Sequence, residues 1–186
     1  IPELEVEEEN WGVPNLGIKV KFQIIWNENG ITYHATAVEP HVLARFDKPN
    51  SEVWRDSCLE FFFQPDENDP RYFNLECNPN GAIYCGIGTN GEDRIRIIAQ
   101  EERRYFNIIT NLTENGWEMF LTIPIEFIRQ CFPNYELRPH LVIYANCLKC
   151  GNDTPIPHFL SWNPYPMTEG YTFHNRRGFG MLILNE

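Results

Sequence analysis

The stretch Val53–Gly81, VWRDSCLEFFFQPDENDPRYFNLECNPNG, decides the fold. Two alternating runs flank a polar, proline-containing turn. In the first run Leu59, Phe61 and Phe63 fall on one face, and Asp56, Cys58, Glu60 and Gln64 on the other. In the second, Phe73, Leu75 and Cys77 oppose Tyr72, Asn74, Glu76 and Asn78. A period of two marks half-buried strands. One face is fit for a core, while the other carries carboxylates and amides beside Trp54. Such a face suits a sugar, whose ring offers apolar C–H surface to an aromatic and hydroxyls to acids and amides. The pattern points to a binder rather than a catalyst.

Outward from this pair, residues Gly17–Trp26 and Ile31–Val38 read as strands joined by the turn Asn27-Glu-Asn-Gly30. Ala82–Ile87, Arg94–Ile98, Tyr105–Thr110, Gly116–Ile123, Pro139–Leu148 and Phe179–Leu184 supply further strands, with turns at Asn90-Gly91 and around Gln100–Arg104. In Gly116–Ile123 the residues Trp117, Met119, Leu121 and Ile123 share one side. The one helical run, Pro124–Gln130, is short and opens on proline. Gly151–Gly178 is a long polar, aromatic and proline-rich loop, and loops of that length in compact domains usually carry function. Many short strands with one short helix predict an all-β fold, an antiparallel β-sandwich of the jelly-roll type, with residues 1–186 forming a single domain.

A chain of 186 residues buries about 70% of its unfolded surface and needs no disulfide framework. The formal charge of −11 argues against nucleic acid and against an anionic membrane surface. No apolar stretch approaches the ~20 residues of a membrane span. A secretory leader is not evident, an absence that decides nothing in a chain opening at Ile1. Cys58, Cys77, Cys85, Cys131, Cys147 and Cys150 read as reduced structural thiols. Cys58 and Cys77 fall on opposite faces, and Cys147-Leu-Lys-Cys150 lacks the second pair of a zinc ribbon.

The order of motifs resembles the family 9 carbohydrate-binding modules and the wider DOMON-like superfamily. The resemblance rests on Trp54-x-Asp56-Ser-Cys-Leu-Glu60-Phe-Phe-Phe63, Tyr72-Phe-x-Leu75-Glu76-x-Asn78-Pro-x-Gly81, Ser161-Trp162-Asn163, and Phe173-His174 followed by Phe179-Gly180-x-Leu182-x-Leu184. It covers most of the chain from about Trp26 onward; the N-terminal part departs from it, with Trp11 a remnant of the family's first-strand tryptophan. The resemblance implies a β-sandwich that holds mono- or oligosaccharides, glucan or xylan ends among them, between two tryptophans. Carboxylate, arginine and amide side chains complete such a site, and calcium often serves as a structural ion. Carried onto this sequence, Trp54 is one clamp, Glu60 the acid gripping hydroxyls, Glu76 or Asn78 a contact from the next strand, and Asn146 one from the strand ending at Leu148. The second clamp is Trp162 or lies at Phe173-His174. Such modules commonly accompany glycoside hydrolases, which implies an extracellular or cell-surface setting, whereas reduced cysteines suit a cytoplasm.

Two other readings remain open. Some DOMON-like relatives hold haem through methionine, histidine or lysine, for which Met119 and Met181 are the candidates here. A structural or interaction module with a decayed sugar site is the other. Catalysis has less support: Glu60 and Glu76 on neighbouring strands echo a glycosidase pair, but no nucleophile, zinc-protease or phosphate-loop motif accompanies them.

Overall fold

The computed structural model describes residues 1–97, 102–166 and 172–185. In chain order the strands are β1 (Leu4–Glu5), β2 (Glu8–Glu9), β3 (Lys19–Asn27), β4 (Gly30–Val38), β5 (Cys58–Gln64), β6 (Tyr72–Cys77) and β7 (Ile83–Gly88). They continue as β8 (Ile95–Arg96), β9 (Ile109–Thr113), β10 (Gly116–Pro124), β11 (Leu141–Cys150), β12 (Phe159–Ser161) and β13 (Gly180–Leu184). Two antiparallel sheets result. One runs β1-β3-β4-β10-β9; the other runs β2-β12-β11-β5-β6-β7-β8, with β13 lying on β11 beyond β12. The expected all-β sandwich is the observed one.

Local chemistry explains most boundaries. Asn27 and Gly30 close the β3–β4 hairpin, where the Asn27 side chain accepts a hydrogen bond from the Asn29 N–H at 2.8 Å. Pro124 ends β10 and starts helix α2 (Ile125–Cys131), the helix expected there; a single turn, α1 (Glu102–Tyr105), precedes β9. The strand expected from Tyr105 begins only at Ile109, because Asn107 takes a left-handed φ of 44° and turns the chain. Phe106 nonetheless drives into the core, 4.8 Å from the Phe127 ring on α2. The strand expected at Arg94–Ile98 is the short β8; its last residue and the start of the turn expected at Gln100 lie outside the described residues, as do residues 167–171 of the long loop.

The layer between the sheets is built from the predicted inward residues. Leu59, Phe61 and Phe63 of β5 and Phe73, Leu75 and Cys77 of β6 meet Tyr33, Trp117, Met119, Leu121 and Ile123 from the other sheet. Stacked rings cross the sandwich from Tyr33 to Phe61 at 5.2 Å and on to Phe63 at 5.1 Å. Half-burial, however, does not hold for β5 and β6: every residue of both strands is buried. The outer face of their sheet has its own roof, a second apolar cluster joining Cys58, Phe62, Tyr72, Tyr84, Leu148 and Cys150 to Val53, Tyr165, Phe173 and Phe179 from the loops. Segments 40–57, 151–166 and 172–179 therefore cover what the alternation alone presents as open surface.

At one end of the sandwich a buried carboxylate joins the layers. Glu39, directly after β4, accepts from Trp117 Nε1 on β10 at 2.6 Å, from Ser57 Oγ at 2.9 Å and from Lys149 Nζ on β11 at 3.2 Å. Lys149 is fully buried, and its ammonium also donates to the Cys150 carbonyl at 3.0 Å and to His158 Nε2 at 2.6 Å. All three ammonium protons thus have acceptors, as a buried lysine requires. The bond to Nε2 leaves the His158 proton on Nδ1, where it is donated to the Ile156 carbonyl at 2.7 Å.

Replacing Glu39 with alanine would strand the Lys149 charge in the interior, so Glu39→Ala is expected to lower the unfolding free energy by about 3–5 kcal/mol. Urea denaturation measures this, with the exposed Lys21→Ala, which loses surface ion pairs to Glu3 and Glu5, as the nearly silent control. Burial, aided by the Lys149 charge, depresses the His158 pKa from 6.5 to about 4. The unfolded chain therefore takes this proton first as pH falls. The associated stability is complete above pH 6.5 and lost progressively down to pH 4, amounting to roughly 2–3 kcal/mol by pH 4.5. Melting curves at pH 7 and 4.5 should differ less for His158→Gln than for the wild type.

Candidate functional site

Trp54 sits in a single 3-10 turn, Val53–Arg55, just before β5. Val53 is fully buried in the second cluster and pins the turn. Asp56, also fully buried, accepts from the backbone N–H groups of Arg45 (2.7 Å) and Phe46 (3.0 Å), from Arg45 Nε (3.0 Å) and from Asn78 Nδ2 (3.0 Å). The loop after β11 is clipped onto the same turn: Asn152 N donates to the Trp54 carbonyl and Asp153 N to that of Arg55. The Asp153 carboxylate then bridges Arg45 and Arg55. Two loops distant in sequence are in this way locked around one indole.

That indole borders a hollow of about 320 Å³ over the outer face of the β5–β6–β7 sheet. Trp11, Trp54, Glu60, Glu76, Arg94 and His174 line it, together with Cys150, Asn152, Phe159, Thr172 and Phe173. Glu60 and Glu76 are cross-strand partners on its floor. Burial pushes the Glu60 carboxyl well up, the neighbouring Cys150 and Glu76 add to this, and Arg94 opposes it. Glu76 is raised to about 7 by burial, held back by Arg94 and by the Asn74 amide that donates to it at 2.7 Å.

Arg94 is the cation of this site. Its guanidinium stands 3.5 Å from Glu76 and 5.3 Å from the centre of the Tyr84 ring, and it donates to His174 Nε2 at 2.8 Å. The His174 proton is consequently on Nδ1, donated to the Tyr72 hydroxyl at 2.9 Å. Burial and the Arg94 charge hold the His174 pKa down at about 3. A neutral imidazole stacked on Phe62 thus orients a guanidinium beside two carboxylates. The hollow offers donors, acceptors and aromatic surface.

Of the seven residues expected at a binding face, the structure brings Trp54, Glu60, Glu76 and His174 together and places three elsewhere. Asn78 shares the parity of Glu76, yet its amide donates to Asp56 and the Phe46 carbonyl and accepts from Ala82 N, anchoring segment 40–57. Asn146 is fully buried; it donates to the carbonyls of Asn163 and Gly178 and accepts from Asn163 N, stitching the long loop to β11. The Trp162 ring packs edge-on against Phe22 at 5.8 Å on the main core, and glycine at 180 is required because a Cβ there would meet that indole at 2.7 Å. Loop backbone groups needing partners claimed the two amides, and the core claimed the indole.

Trp11, Arg94, Asn152 and Phe159 join the lining without having been expected there. Trp11 packs against Phe159 at 5.3 Å and Phe173 at 4.7 Å between ring centres. Its φ is 58°, followed by Gly12 at 71°, an unusual conformation for a bulky aromatic. Asn10 holds the turn, its side chain donating to Glu8 O, Phe159 O and Ser161 Oγ. The Trp-Gly turn at 11–12 was the one available signal. The methionines of the haem reading do not meet at the hollow: Met119 is packed in the main core, and Met181 is 56% exposed on β13. Among the described residues, Cys58, Glu60 and Cys150 bring three acid or thiol ligand atoms within 4.8 Å of one another, a donor set that suits a thiophilic ion.

A family model described as carbohydrate-binding family 9 matches residues 1–184. A candidate carbohydrate-binding protein from Bacteroides uniformis has a crystal structure that superposes with a TM-score of 0.85 at 28% identity, covering 100% of this chain and 87% of that one. A family 9 module from Caldicellulosiruptor kristjanssonii in complex with cellotriose gives 0.68 at 14% identity over 100% and 83% of the two chains. The same organism's module in complex with glucose gives 0.65 at 14% over 98% and 84%. No curated protein matches.

Proposed function

Because the chain belongs to carbohydrate-binding family 9, we propose that it binds the end of a glucan or xylan chain, or a free monosaccharide, reversibly in the hollow beside Trp54. The observation that carries this reading is the convergence of two indoles, two carboxylates and a guanidinium on one hollow. At about 320 Å³ it stands at the small end of ligand pockets, roughly 300–1,000 Å³ in general, and so suits one or two sugar rings rather than the middle of a long chain. The ligands of the Caldicellulosiruptor modules, glucose and cellotriose, are of this class.

Chemistry gives each group a part. Trp54, and across the lining Trp11, would meet the C–H faces of a pyranose. Glu60, Glu76 and Asn152 would accept from hydroxyls, and Arg94 would donate to a hydroxyl or ring oxygen. His174 acts through Arg94, while Asn78, Asn146 and Trp162 shape the walls without touching sugar. Burial that lifts both carboxyls off their usual range also makes every hydrogen bond inside the hollow stronger than it would be in water. No covalent step is part of this reading.

Trp54→Ala removes an aromatic face and leaves the backbone carbonyl that clips the loop. It should weaken binding of glucose or cellobiose by about tenfold, the equivalent of roughly 1 kcal/mol of stacking plus lost apolar contact. Isothermal titration measures this beside a melting curve; unchanged affinity in a folded variant would remove Trp54 from the site. Glu76 is ionised above pH 7 and takes up a proton below it. The charge-assisted bonds it accepts weaken accordingly, so sugar affinity should fall from pH 8 to pH 6 by about fivefold, roughly 1 kcal/mol. Glu76→Gln should flatten that profile. A glutamine variant that keeps the wild-type slope would assign the titration to another group.

A further inference from the structure

Cys58 and Cys150 stand directly opposite one another on β5 and β11, both on the outer face of their sheet. Glu60, two residues along β5, is on the same face. The Cys150 thiol donates to Glu60 Oε1 at 2.8 Å and also lies 3.4 Å from the Trp54 carbonyl. The two sulfur atoms and a Glu60 oxygen all fall within 4.8 Å of one another, and all three residues are buried. Glu60 and Cys150 line the hollow; Cys58 lies behind them. Nothing in the sugar-binding reading uses either thiol.

We propose that Cys58, Cys150 and Glu60 form a binding site for a thiophilic divalent cation of the zinc class, its fourth position open on the side of the hollow. Two thiolates and one carboxylate are the donor types such ions take, and three protein ligands with one open position is the pattern of zinc sites that still accept a small molecule. On a tetrahedral zinc the donors sit about 3.5–3.8 Å apart, as follows from bonds of about 2.3 Å to sulfur and about 2.1 Å to oxygen. In the present trio every pair of these atoms lies within 4.8 Å, and the Cys150 sulfur stands 2.8 Å from the Glu60 oxygen. The cation takes the place of the protons that the two thiols and the acid hold, and these three protons go to solvent. Burial raises all three groups above their ordinary values, so in the apo protein the site is closed by protons and a hydrogen bond; a doubly charged ion offsets the desolvation that keeps them protonated.

The inference is independent of sugar binding, because the metal is read without sugar. Reduced, chelator-treated protein is titrated with Co2+, and the expected result is a thiolate-to-cobalt charge-transfer band that saturates at one equivalent and is bleached by Zn2+. Cys58→Ser and Cys150→Ser should each abolish the band, while Cys131→Ser, on α2 and outside the cluster, should keep it. Glu60→Gln leaves both thiols in place and should weaken Co2+ binding by about tenfold or more, which carries the test if a serine variant fails to fold. The proposal is overturned if the wild type gives no band, if the band survives in folded Cys58→Ser or Cys150→Ser, if it disappears in Cys131→Ser, or if Glu60→Gln binds as tightly as the wild type. Recovery of the purified protein with these two thiols joined as a disulfide that reduction does not convert to a metal-binding form would overturn it equally.

Discussion

Everything else in this fold depends on the carboxylate of Glu39 being met from both sheets at once. An acid taken out of water is tolerable only when its oxygens are filled, and here an indole from one sheet and an ammonium and hydroxyl from the other fill them. The sandwich halves otherwise adhere through apolar contact, which is strong but indifferent to register. A sideways slip of β4 against β11 would leave Glu39 or Lys149 alone in the interior. The node therefore sets the relative placement of the layers, and with it the position of Ser57 at the mouth of β5. From that point the alternation of β5 follows, and Glu60 arrives on the outer face.

The outer face shows how a sheet becomes a site. Its rows carry Cys58, Glu60, Phe62 and Gln64 on β5 beside Tyr144, Asn146, Leu148 and Cys150 on β11. An open face of that composition would be a shallow platform. The loops instead lay Tyr165, Phe173 and Phe179 over its apolar part, and among the described residues they leave a hollow at the patch where carboxylates, an arginine and two indoles make a roof of hydrocarbon unfavourable. The hollow is what remains once the loops have buried everything on this face that gains by burial. Its walls are held by hydrogen bonds that Asp56 accepts and that Asn78 and Asn146 donate, which is why those residues are polar, buried and away from the lining.

Much of the architecture was legible in the chain. The parity of Leu59, Phe61 and Phe63, the inward row from Trp117 to Ile123 and the proline-led helix each follow from local rules, and each stands as expected. Trp54, Glu60, Glu76 and His174 were legible as a group because two carry strand parity and two occupy motif positions. The roof was not, since segments 40–57 and 151–179 have no periodicity and their apolar residues look like scattered loop anchors. For the same reason Asn78 and Asn146 passed for exposed amides: strand parity says which face a side chain takes, but whether a loop carbonyl waits there is long-range information. Trp11 and Arg94 reach the hollow from a left-handed turn and from the residue just before a two-residue strand, neither of which leaves a periodic trace.

The distribution of the thiols makes the molecule its own reporter. Cys77, Cys85 and Cys147 belong to the layer between the sheets, Cys58 and Cys150 to the roofed face, and Cys131 is the partly accessible one on α2. An alkylating reagent can reach the first group only when the two sheets part, and the second as soon as the loops lift. Labelling rates followed cysteine by cysteine would therefore resolve breathing of the cover from global unfolding, with no probe added to the chain.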